Sequence, residues 1–471
     1  MGFVYFPGGS EATAVSYDIS PQRPRMGGPM GISRCDLLLS ADIIVTQDAK
    51  RRVIENGAVA IAGGTIREVG TQSEMDSRWQ AERTLDLDRK LVMPGLVNAH
   101  THASMTVFRG VADDLPLMTW LTENIWPVEK ALGKEIIHFG ALLACAEMIR
   151  TGTTCFCDMY LMEGETARAV DESGIRAVLG EGIFAFPSPA YAKTEDAWPI
   201  IEDLHARYKG HERIRTAIMP HAVYTTTPEI LKQSWELAQA HGCIWKTHLS
   251  ESETETRTSL EQFSRRPLDY LESLGISGSR CVFAHCVDLT PDEMARMAET
   301  GAHVVHCPQS NMKLTSGMAR IEDLRKAGVN VCLGTDGAAS NNDLNMFQEM
   351  NSAALLQKVR TMDPTALSAQ AVLDMATVNG AKALAWNELG SLEAGKAADL
   401  IALDLRQPNM LPMYNPVSHL AYAASGMEVC LSMVAGKVLY ENGRYATMDM
   451  DGLAREATEV ARWVKARAHK A

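Results

Sequence analysis

The chain has 471 residues, of which 45 are Lys or Arg and 58 are Asp or Glu, giving a formal net charge of −13. This acidic balance, without any basic block, argues against a nucleic-acid polymer as partner, and the lack of a long apolar run argues against a membrane-spanning helix. At roughly 150 residues per domain the length allows about three units, although one α/β barrel alone takes ~250 residues.

The two ends of the chain differ from its middle. Residues 1–33 are rich in Gly, Pro and Ser and lack the apolar core of a signal peptide, so they are predicted to be a flexible extension. Ten scattered cysteines without a secretory signal indicate reduced, mostly buried thiols and a cytoplasmic protein. Apolar residues from Leu453 to Val464 share one helical face, which predicts a docking helix within residues 448–471.

Short alternating strands broken by Gly and Asp begin at Cys35, and a similar pattern returns between residues 397 and 444. Segments of this kind build small antiparallel sheets. Because these strand-rich segments flank a long middle region, residues 34–91 and 392–447 are predicted to pair into one discontinuous β-sandwich domain.

Between these ends, eight apolar runs of strand length alternate with helical stretches, which is typical of βαβ repetition and a parallel sheet. The sequence therefore predicts an α/β fold in which residues 92–391 form a metal-dependent (β/α)8 TIM-like barrel. Helical segments after residue 342 are expected to cover the barrel. Most of the eight runs end in a His or an Asp, and the carboxyl ends of barrel strands carry the active site.

Four of these strand-end residues form a candidate metal site. His100 and His102 in MPGLVNAHTH are separated by one residue, so both side chains point to the same face of an extended strand. His248 ends the run CIWKT, and Asp336 ends VNVCLGT. Three imidazoles and one carboxylate suit a single zinc-like ion that keeps one position for water. Each residue alone would more often be a core histidine or a capping aspartate.

Two further residues near these strand ends are candidate proton carriers. Glu251 lies three residues after His248, and His285 ends the next apolar run. A carboxyl group and an imidazole at the barrel mouth could move protons or stabilise a developing charge. The competing interpretation of Glu251 is a solvated charge within the run ESETETR.

These motifs together resemble the amidohydrolase superfamily, in particular its deaminase and chlorohydrolase branch. The similarity spans residues 35 to about 445 and is greatest to the methylthioadenosine/S-adenosylhomocysteine deaminases, with adenosine deaminases of the same scaffold as near relatives. The segments that carry it, in chain order, are PGLVNAHTH, MPH, THLSE, AHC, CPQSNMKL, LGTDGAASNN and GSLEAGKAADLI.

The resemblance implies a hydrolytic deaminase of an adenine nucleoside. It implies that the four strand-end residues bind one zinc ion, with iron(II) and manganese(II) as open alternatives. Glu251 and His285 would then handle protons, and Asp336 would share in proton transfer. Glu251 would protonate a purine ring nitrogen while hydroxide attacks the carbon that bears the amino group, and ammonia would leave.

The resemblance also implies a set of substrate contacts. His221 would contact the base, Trp120 would lie over the pocket, and Glu129 would accept hydrogen bonds from the ribose hydroxyls. Without the family, Trp120 would be interpreted as a core aromatic residue and Glu129 as a charge on a helix surface.

Two departures bear on the metal count and on the substrate. Binuclear branches of the superfamily use a carboxylated lysine, commonly from the fourth strand, whereas here that strand ends in His221 and Lys246 lies deeper on the next one. Arginines that hold a carboxylate tail in related enzymes have no counterpart in FAFPSPAYAKTEDAW, and neither Arg207 nor Arg213 matches that role. A carboxylate-bearing tail would therefore be held differently or not at all, which leaves methylthioadenosine, adenosine and 5′-deoxyadenosine as candidate substrates, with S-adenosylhomocysteine still open.

Two alternatives compete with the nucleoside deaminase. The first is a deaminase or chlorohydrolase of another N-heterocycle, such as guanine, a pterin or a triazine, for which a ribose-binding Glu129 would be useless. The second is a non-catalytic scaffold on the same fold, which the presence of every ligand and both proton carriers argues against. Family likeness further implies a homo-oligomer, either a dimer or a tetramer.

Overall fold

The structure, a computed structural model, describes residues 32–115 and 119–468, without the side chain of Trp120. The predicted extension at residues 1–33 thus lies almost entirely outside the described residues. All ten cysteines are free thiols. Among the helices of the described ranges, none combines the length and the apolar character needed to cross a bilayer.

The strands of the described chain are numbered in chain order. They are β1 Ser33–Val45, β2 Val53–Ala62, β3 Thr65–Thr71, β4 Trp79–Pro94, β5 Leu96–Thr101, β6 Thr153–Tyr160, β7 Arg176–Ile183, β8 Ile214–Thr216, β9 Met219–Pro220, β10 Trp245–Leu249, β11 Cys281–His285, β12 His303–His306, β13 Asn330–Leu333, β14 Leu400–Asp404, β15 Val429–Val434, β16 Lys437–Glu441 and β17 Arg444–Tyr445.

The α-helices are numbered in the same way. They are α1 Gln72–Arg78, α2 Trp126–Glu129, α3 Lys134–Arg150, α4 Glu163–Ser173, α5 Ala197–Tyr208, α6 Pro228–His241, α7 Glu253–Phe263, α8 Pro267–Ser273, α9 Pro291–Thr300, α10 Pro308–Lys313, α11 Ile321–Ala327, α12 Met346–Thr361, α13 Ala369–Met375, α14 Val378–Ala383, α15 Pro416–Tyr422 and α16 Met450–Ala468. Short helical turns lie at Ala103–Phe108, Trp120–Ile125, Thr194–Asp196, Val223–Thr225 and Pro408–Met410.

Every apolar run predicted as a barrel strand is a strand, and the fourth is divided into β8 and β9. Strands β5 to β8 pair in parallel, as do β10 to β13. Backbone hydrogen bonds join these halves on both sides, among them Lys246 N to Ile218 O (3.0 Å) and Asp336 N to His100 O (3.0 Å). The prediction of an α/β TIM-like barrel is therefore confirmed, and its strands are buried on both faces, as parallel strands between helices must be.

The barrel helices begin where the sequence provides start signals. Helices α6, α8, α9 and α10 each have a proline in the first turn, where the missing N–H has no intrahelical partner to lose. Thr290 caps α9, since its hydroxyl accepts from Glu293 N while the Glu293 carboxylate accepts from Thr290 N. These starts fix the helices against the strands that they follow.

Gly95 marks the boundary between the barrel and the sheet formed by the chain ends. The sequence suggests one continuous run through MPG, but β4 ends at Pro94 and β5 begins at Leu96. A Cβ added to Gly95 would lie 2.0 Å from Thr154 Oγ1. The glycine therefore permits close approach of the chain to β6 at the start of the first barrel strand.

Both chain ends contribute to one eight-stranded sheet, in the order β17-β16-β15-β14-β4-β1-β2-β3. The expectation of a purely antiparallel sheet was wrong, because β1 and β4 pair in parallel. Helix α1, which the strand pattern did not predict, lies between β3 and β4 and provides the crossover that a parallel pair requires. Closure of this sheet into a sandwich stays a prediction.

The C-terminal helix α16 packs beside the carboxyl end of the barrel. It buries Leu453 and Val464, and Val464 belongs to an apolar cluster that includes Phe108 and Val128. The helix thus supports the segment that follows β5, which leads into the site described next.

Candidate active site and metal centre

The carboxyl ends of four barrel strands bring five candidate residues together. His100 lies in β5 and His102 follows it, His248 lies in β10, His285 ends β11, and Asp336 follows β13. Two groups of these side chains, which share His100, have ligand atoms within 4.8 Å of one another. One group is His100, His248 and His285, and the other is His100, His102 and Asp336.

Two of the imidazoles are oriented by backbone carbonyl groups. His102 Nδ1 donates to Met159 O, and His248 Nδ1 donates to His221 O at 2.7 Å. Because a carbonyl oxygen only accepts, each neutral ring carries its proton on Nδ1 and turns an unprotonated Nε2 inward. The two Nε2 atoms lie 3.3 Å apart.

Asp336 completes the group with a carboxylate held in place by its neighbours. Its Oδ1 lies 3.2 Å from His102 Nε2 and 3.5 Å from His100 Nε2. Its Oδ2 accepts hydrogen bonds from Ser310 Oγ (2.6 Å) and Ser340 Oγ (3.1 Å). Burial opposes ionisation, but the facing imidazoles outweigh it and hold the pKa of Asp336 well below its usual range.

This arrangement fits a divalent cation. His100 is fully buried and both of its ring nitrogens lack a hydrogen-bond partner, a costly state unless a ligand satisfies them. Tetrahedral zinc with Zn–N bonds of ~2.0–2.1 Å separates two nitrogen ligands by about 3.3 Å, which is the separation observed between His102 and His248. The donor set is therefore that of a metal centre.

The protonation of the imidazoles agrees with a ligand role. Burial and nearby positive charge from Lys246 keep the pKa of His100 well below its ordinary value, and burial and the neighbouring histidines do so for His248. Burial alone would lower the pKa of His102, but the Asp336 carboxylate raises it. A bound cation would compete with that proton, so metal binding is expected to release it.

The backbone turns sharply where these strands end. His285 (φ 71°), Asp336 (φ 64°) and Ser250 (φ 48°) adopt left-handed conformations that non-glycine residues rarely occupy. Between β13 and Asp336, a Cβ added to Gly334 would lie 2.8 Å from His100 N. Such strain is common at functional sites, where it directs side chains into the cleft.

Strand β6 holds the residues on either side of His102. Asp158 Oδ1 accepts hydrogen bonds from Thr101 Oγ1 (2.7 Å) and Ala103 N (2.6 Å), next to the Met159 carbonyl that orients the His102 ring. Outer contacts of this kind fix the position of a ligand. Lys246 is fully buried and donates to Ala99 O (2.8 Å) and Cys157 Sγ (3.4 Å), so it supports β5 from within the barrel.

The two predicted proton carriers face the same cavity. Glu251 and His285 both line it, and His285 Nδ1 donates to Asn311 Oδ1 (2.9 Å). Burial raises the pKa of Glu251, an effect that nearby His285 partly offsets. A carboxyl group with a raised pKa is suited to donating a proton near neutral pH.

The cavity above this centre is termed the inner lobe. It encloses roughly 730 Å³ and is lined by His102, His221, His248, Glu251, His285, Asp336 and Glu129, together with apolar residues that include Met105, Leu121 and Phe184. A largely apolar cavity with a few convergent polar groups is suited to a flat, polar-edged ligand.

Glu129 and His221, predicted as substrate contacts, lie on the wall of the inner lobe. Burial raises the pKa of Glu129, and Tyr160 Oη donates to its Oε1 at 2.5 Å. Burial lowers the pKa of His221 to about 3, and its Nδ1 lies 2.9 Å from Thr225 Oγ1. The side chain of Trp120 lies outside the described residues.

Sequence reasoning missed the residues that hold the predicted ones in place. Ser310 and Asn311 occur in the quoted motif CPQSNMKL and lie within the short helix α10, so the motif itself could have been a signal. Ser340 likewise occurs in the quoted motif LGTDGAASNN, whereas Tyr160 had no comparable signal. The structure also places the two arginines considered earlier away from the inner lobe, since Arg207 pairs with Asp203 and Arg213 with Asp171.

Comparison with known proteins gives consistent results. Residues 91–439 match the sequence profile of the amidohydrolase family. A 5-methylthioadenosine/S-adenosylhomocysteine deaminase of Nitratidesulfovibrio vulgaris is 54% identical over 429 residues, which cover 91% of this chain and 97% of the relative. A 5′-deoxyadenosine deaminase of Methanosarcina acetivorans is 41% identical over 436 residues, or 92% and 99% of the two chains.

A solved structure is similar over nearly the whole chain. It is an adenosine deaminase from Xanthomonas campestris with bound zinc, and it superimposes with a TM-score of 0.91 at 38% identity. The similarity covers 93% of this chain and 100% of that one.

Proposed function

The chain belongs to the amidohydrolase family, and from that membership we infer that it is a metal-dependent aminohydrolase of an adenine nucleoside. The products are ammonia and the matching inosine analogue. The observation that carries the proposal is the convergence of three imidazoles and one carboxylate beneath a cavity lined by Glu251 and Glu129. The activities for which the similar proteins are named agree with this chemistry.

We propose that one zinc ion per chain is held by His100, His102, His248 and Asp336. When bound, the cation supplies Lewis acidity that makes hydroxide available near neutral pH. The zinc named in the similar solved structure supports this choice of metal, while iron(II) and manganese(II) suit the same donors. Elemental analysis of active protein tests the count, and two ions per chain would contradict it.

The side chains around the centre are assigned the following steps. Glu251 gives its proton to the ring nitrogen beside the carbon that bears the amino group, which makes that carbon more electrophilic. Asp336 accepts a proton from the attacking water, and His285 stabilises the charge that develops on the added oxygen. The proton held by Asp336 passes to the amino group as the C–N bond breaks and ammonia leaves. The proton that remains on the added oxygen passes to Glu251 as the carbonyl forms, which restores the starting protonation.

Substrate recognition is assigned to residues of the inner lobe and its rim. His221 contacts the base, Trp120 covers the pocket, and Glu129 accepts hydrogen bonds from the ribose hydroxyls. The hydrogen bond from Tyr160 fixes one oxygen of Glu129 and supports this role. Replacement of Glu129 by Ala should raise KM for nucleosides and spare a free base.

The decisive experiment is an ammonia-release screen of metal-loaded protein over adenine nucleosides with and without a 5′ substituent. Release of ammonia with formation of the inosine analogue is expected, and His248→Ala should lose both the metal and the activity. Failure to release ammonia from any adenine, guanine or pterin compound would favour the non-catalytic scaffold.

We propose further that the chain forms a dimer or tetramer in the cytoplasm. Helix α12 exposes Leu355 and Val359, and exposed Met362 follows at the same helical spacing. Such an apolar stripe supports a contact between copies, and the ten free thiols support a reducing compartment. Sedimentation of wild-type protein and of Val359→Glu tests the assembly, and a wild-type monomer would contradict it.

The domain limits also remain our proposal. Residues 34–91 and 392–447 would form the discontinuous β-sandwich, residues 92–391 the barrel, and residues 448–471 the docking helix. Pairing of strands from both chain ends in one sheet supports the first of these units. Limited proteolysis should cut first outside these units, within residues 1–33.

A further inference from the structure

A second apolar cavity, termed the outer lobe, continues from the inner lobe toward the protein surface. It encloses roughly 640 Å³. Four residues line both lobes, namely Trp126, Glu129, Leu161 and Phe184. The remaining lining residues are Lys130, Phe186, Pro187, Ser188 and Pro189. Because Glu129 lines both lobes, a nucleoside with its ribose at Glu129 has the outer lobe next to its sugar.

A series of rings connects the metal centre to the outer lobe. Ring centroids lie 4.6 Å apart for His248 and His221, 4.8 Å for His221 and Phe184, and 5.1 Å for Phe184 and Phe186. Trp126 follows at 6.2 Å from Phe186. Phe186 nevertheless remains 41% exposed, so the outer end of this series leaves part of an aromatic ring open to solvent.

The wall that carries Phe186 is preformed. Tyr191 Oη accepts a hydrogen bond from Phe184 N (2.9 Å) and donates to Gly182 O (3.0 Å). Thr194 Oγ1 donates to Phe184 O (2.9 Å). These contacts anchor the start of the segment after β7, so the lobe exists without a ligand and little ordering is required when one binds.

Positive charge is scarce in both lobes. Apart from histidines, Lys130 is the single cationic residue that lines either cavity within the described part of the chain, and its side chain is exposed. No arginine lines them, and Arg207 and Arg213 make ion pairs elsewhere. A carboxylate that enters an apolar space without a buried partner loses hydration that nothing replaces.

We propose that the outer lobe binds the 5′ substituent of the nucleoside and selects small uncharged groups, such as methylthio, over the zwitterionic homocysteine tail. This inference rests on the proposed function and adds a substrate preference to it. Phe186 and Trp126 are the specificity-determining residues, because they provide the apolar surface against which a thioether or alkyl group is buried. The preferred substrates are 5′-methylthioadenosine and 5′-deoxyadenosine.

The test compares kcat/KM for 5′-methylthioadenosine, S-adenosylhomocysteine and adenosine in the wild-type metalloenzyme. The value of kcat/KM for 5′-methylthioadenosine should exceed that for S-adenosylhomocysteine by at least roughly tenfold. An effect of that size is typical when an apolar pocket discriminates between substituents of a substrate. Equal or better turnover of S-adenosylhomocysteine would overturn the inference and leave the deaminase intact. Absence of ammonia from all three would instead overturn the proposed function.

Two variants of exposed Phe186 locate the preference in the outer lobe. Phe186→Ala should lower the ratio of kcat/KM for 5′-methylthioadenosine to that for adenosine by roughly tenfold. Phe186→Arg should raise the ratio of kcat/KM for S-adenosylhomocysteine to that for 5′-methylthioadenosine, because it places a guanidinium on the apolar wall, where the tail carboxylate can pair with it. Tyr414→Ala removes an exposed aromatic residue elsewhere and should leave all ratios unchanged. Unchanged ratios in both Phe186 variants would overturn the assignment.

Discussion

The two ends of the barrel differ in how their buried polar groups are paired. At the amino end, Arg176 at the start of β7 meets Asp399 through two hydrogen bonds, Nε to Oδ2 (2.6 Å) and Nη2 to Oδ1 (3.0 Å). Arg176 also donates to Glu212 O (2.7 Å), and Asp399 Oδ1 accepts from Ala435 N (2.8 Å). This ion pair joins the barrel to the sheet of the chain ends, and both charged groups are satisfied.

At the carboxyl end, by contrast, some buried imidazole nitrogens lack a hydrogen-bond partner within the protein. Both ring nitrogens of His100 are unpaired, and the Nε2 atoms of His102 and His248 face each other 3.3 Å apart. Buried polar groups without protein partners are found where a ligand binds them, whereas a fully hydrogen-bonded ion pair contributes to the stability of the fold. The difference indicates that changes at the carboxyl end should affect chemistry, while changes at the amino end should affect stability.

Glu251→Gln should have the largest effect, and it should fall on chemistry alone. The amide retains the size of the carboxyl group but cannot donate the proton assigned to it, so kcat should fall by about 10²–10⁴-fold. Metal content and melting temperature should not change. Glu253→Gln, two residues further on and exposed, is the control. Equal activity of the two variants would remove Glu251 from the mechanism.

Arg176→Met should produce the reverse pattern. Loss of the guanidinium leaves the buried Asp399 carboxylate unpaired, which costs about 3–5 kcal/mol in the free energy of unfolding. Urea denaturation measures this cost, while kcat of the folded protein and its metal content should stay close to wild type. Arg207→Met breaks the exposed pair with Asp203 and should cost ~1 kcal/mol or less. A large loss of kcat in folded Arg176→Met would contradict the view that changes at the amino end of the barrel affect stability and not chemistry.

The sequence was most informative at the strand ends. Apolar runs of strand length are local features, and each run predicted as a barrel strand is one. His100 and His102 share a face because of the two-residue period of a strand, and the structure brings them to His248 and Asp336. The functional roles of these residues stay predictions, but their proximity follows from the fold.

The sequence was least informative where partners are distant along the chain. Tyr160 contacts Glu129 across 31 positions, and Ser310 contacts Asp336 across 26. No local period specifies such pairs, because they depend on how helices and loops pack over the barrel. The parallel pairing of β1 with β4 likewise depends on α1, a short helix hidden between strand-like segments.

Asp158→Ala should have an intermediate effect at the carboxyl end. It removes the acceptor for Thr101 Oγ1 and Ala103 N, which hold the residues flanking His102. Contacts of this kind typically contribute 10–100-fold to metal affinity, so chelator competition should show a weakening of about that size. Asp158→Asn retains an acceptor oxygen and should recover most of the affinity. No difference between the two variants would mean that Asp158 does not position His102.

Glu181→Gln should have the smallest effect, on the pH dependence of stability. Buried Glu181 accepts from Met162 N and Glu163 N (both 2.8 Å), yet burial raises its pKa to about 7. The folded state therefore binds this proton more tightly than the unfolded state, in which the pKa is near 4.5. The resulting stabilisation is fully present below that unfolded value and is lost as pH rises toward 7.

Asp399, at the other end of the barrel, is balanced by a guanidinium and not by a proton. The free energy of unfolding of wild-type protein should consequently fall more between pH 5 and pH 8 than that of Glu181→Gln, by an amount on the order of 1 kcal/mol. A lost hydrogen bond in the variant lowers stability equally at every pH, so the slope is the informative quantity. Exposed Glu261→Gln should retain the wild-type slope. If Glu181→Gln has the same pH dependence of stability as wild type, Glu181 does not carry the proton that is bound on folding. The proposed difference between a protonated carboxyl group at Glu181 and an ion-paired carboxylate at Asp399 would then be wrong.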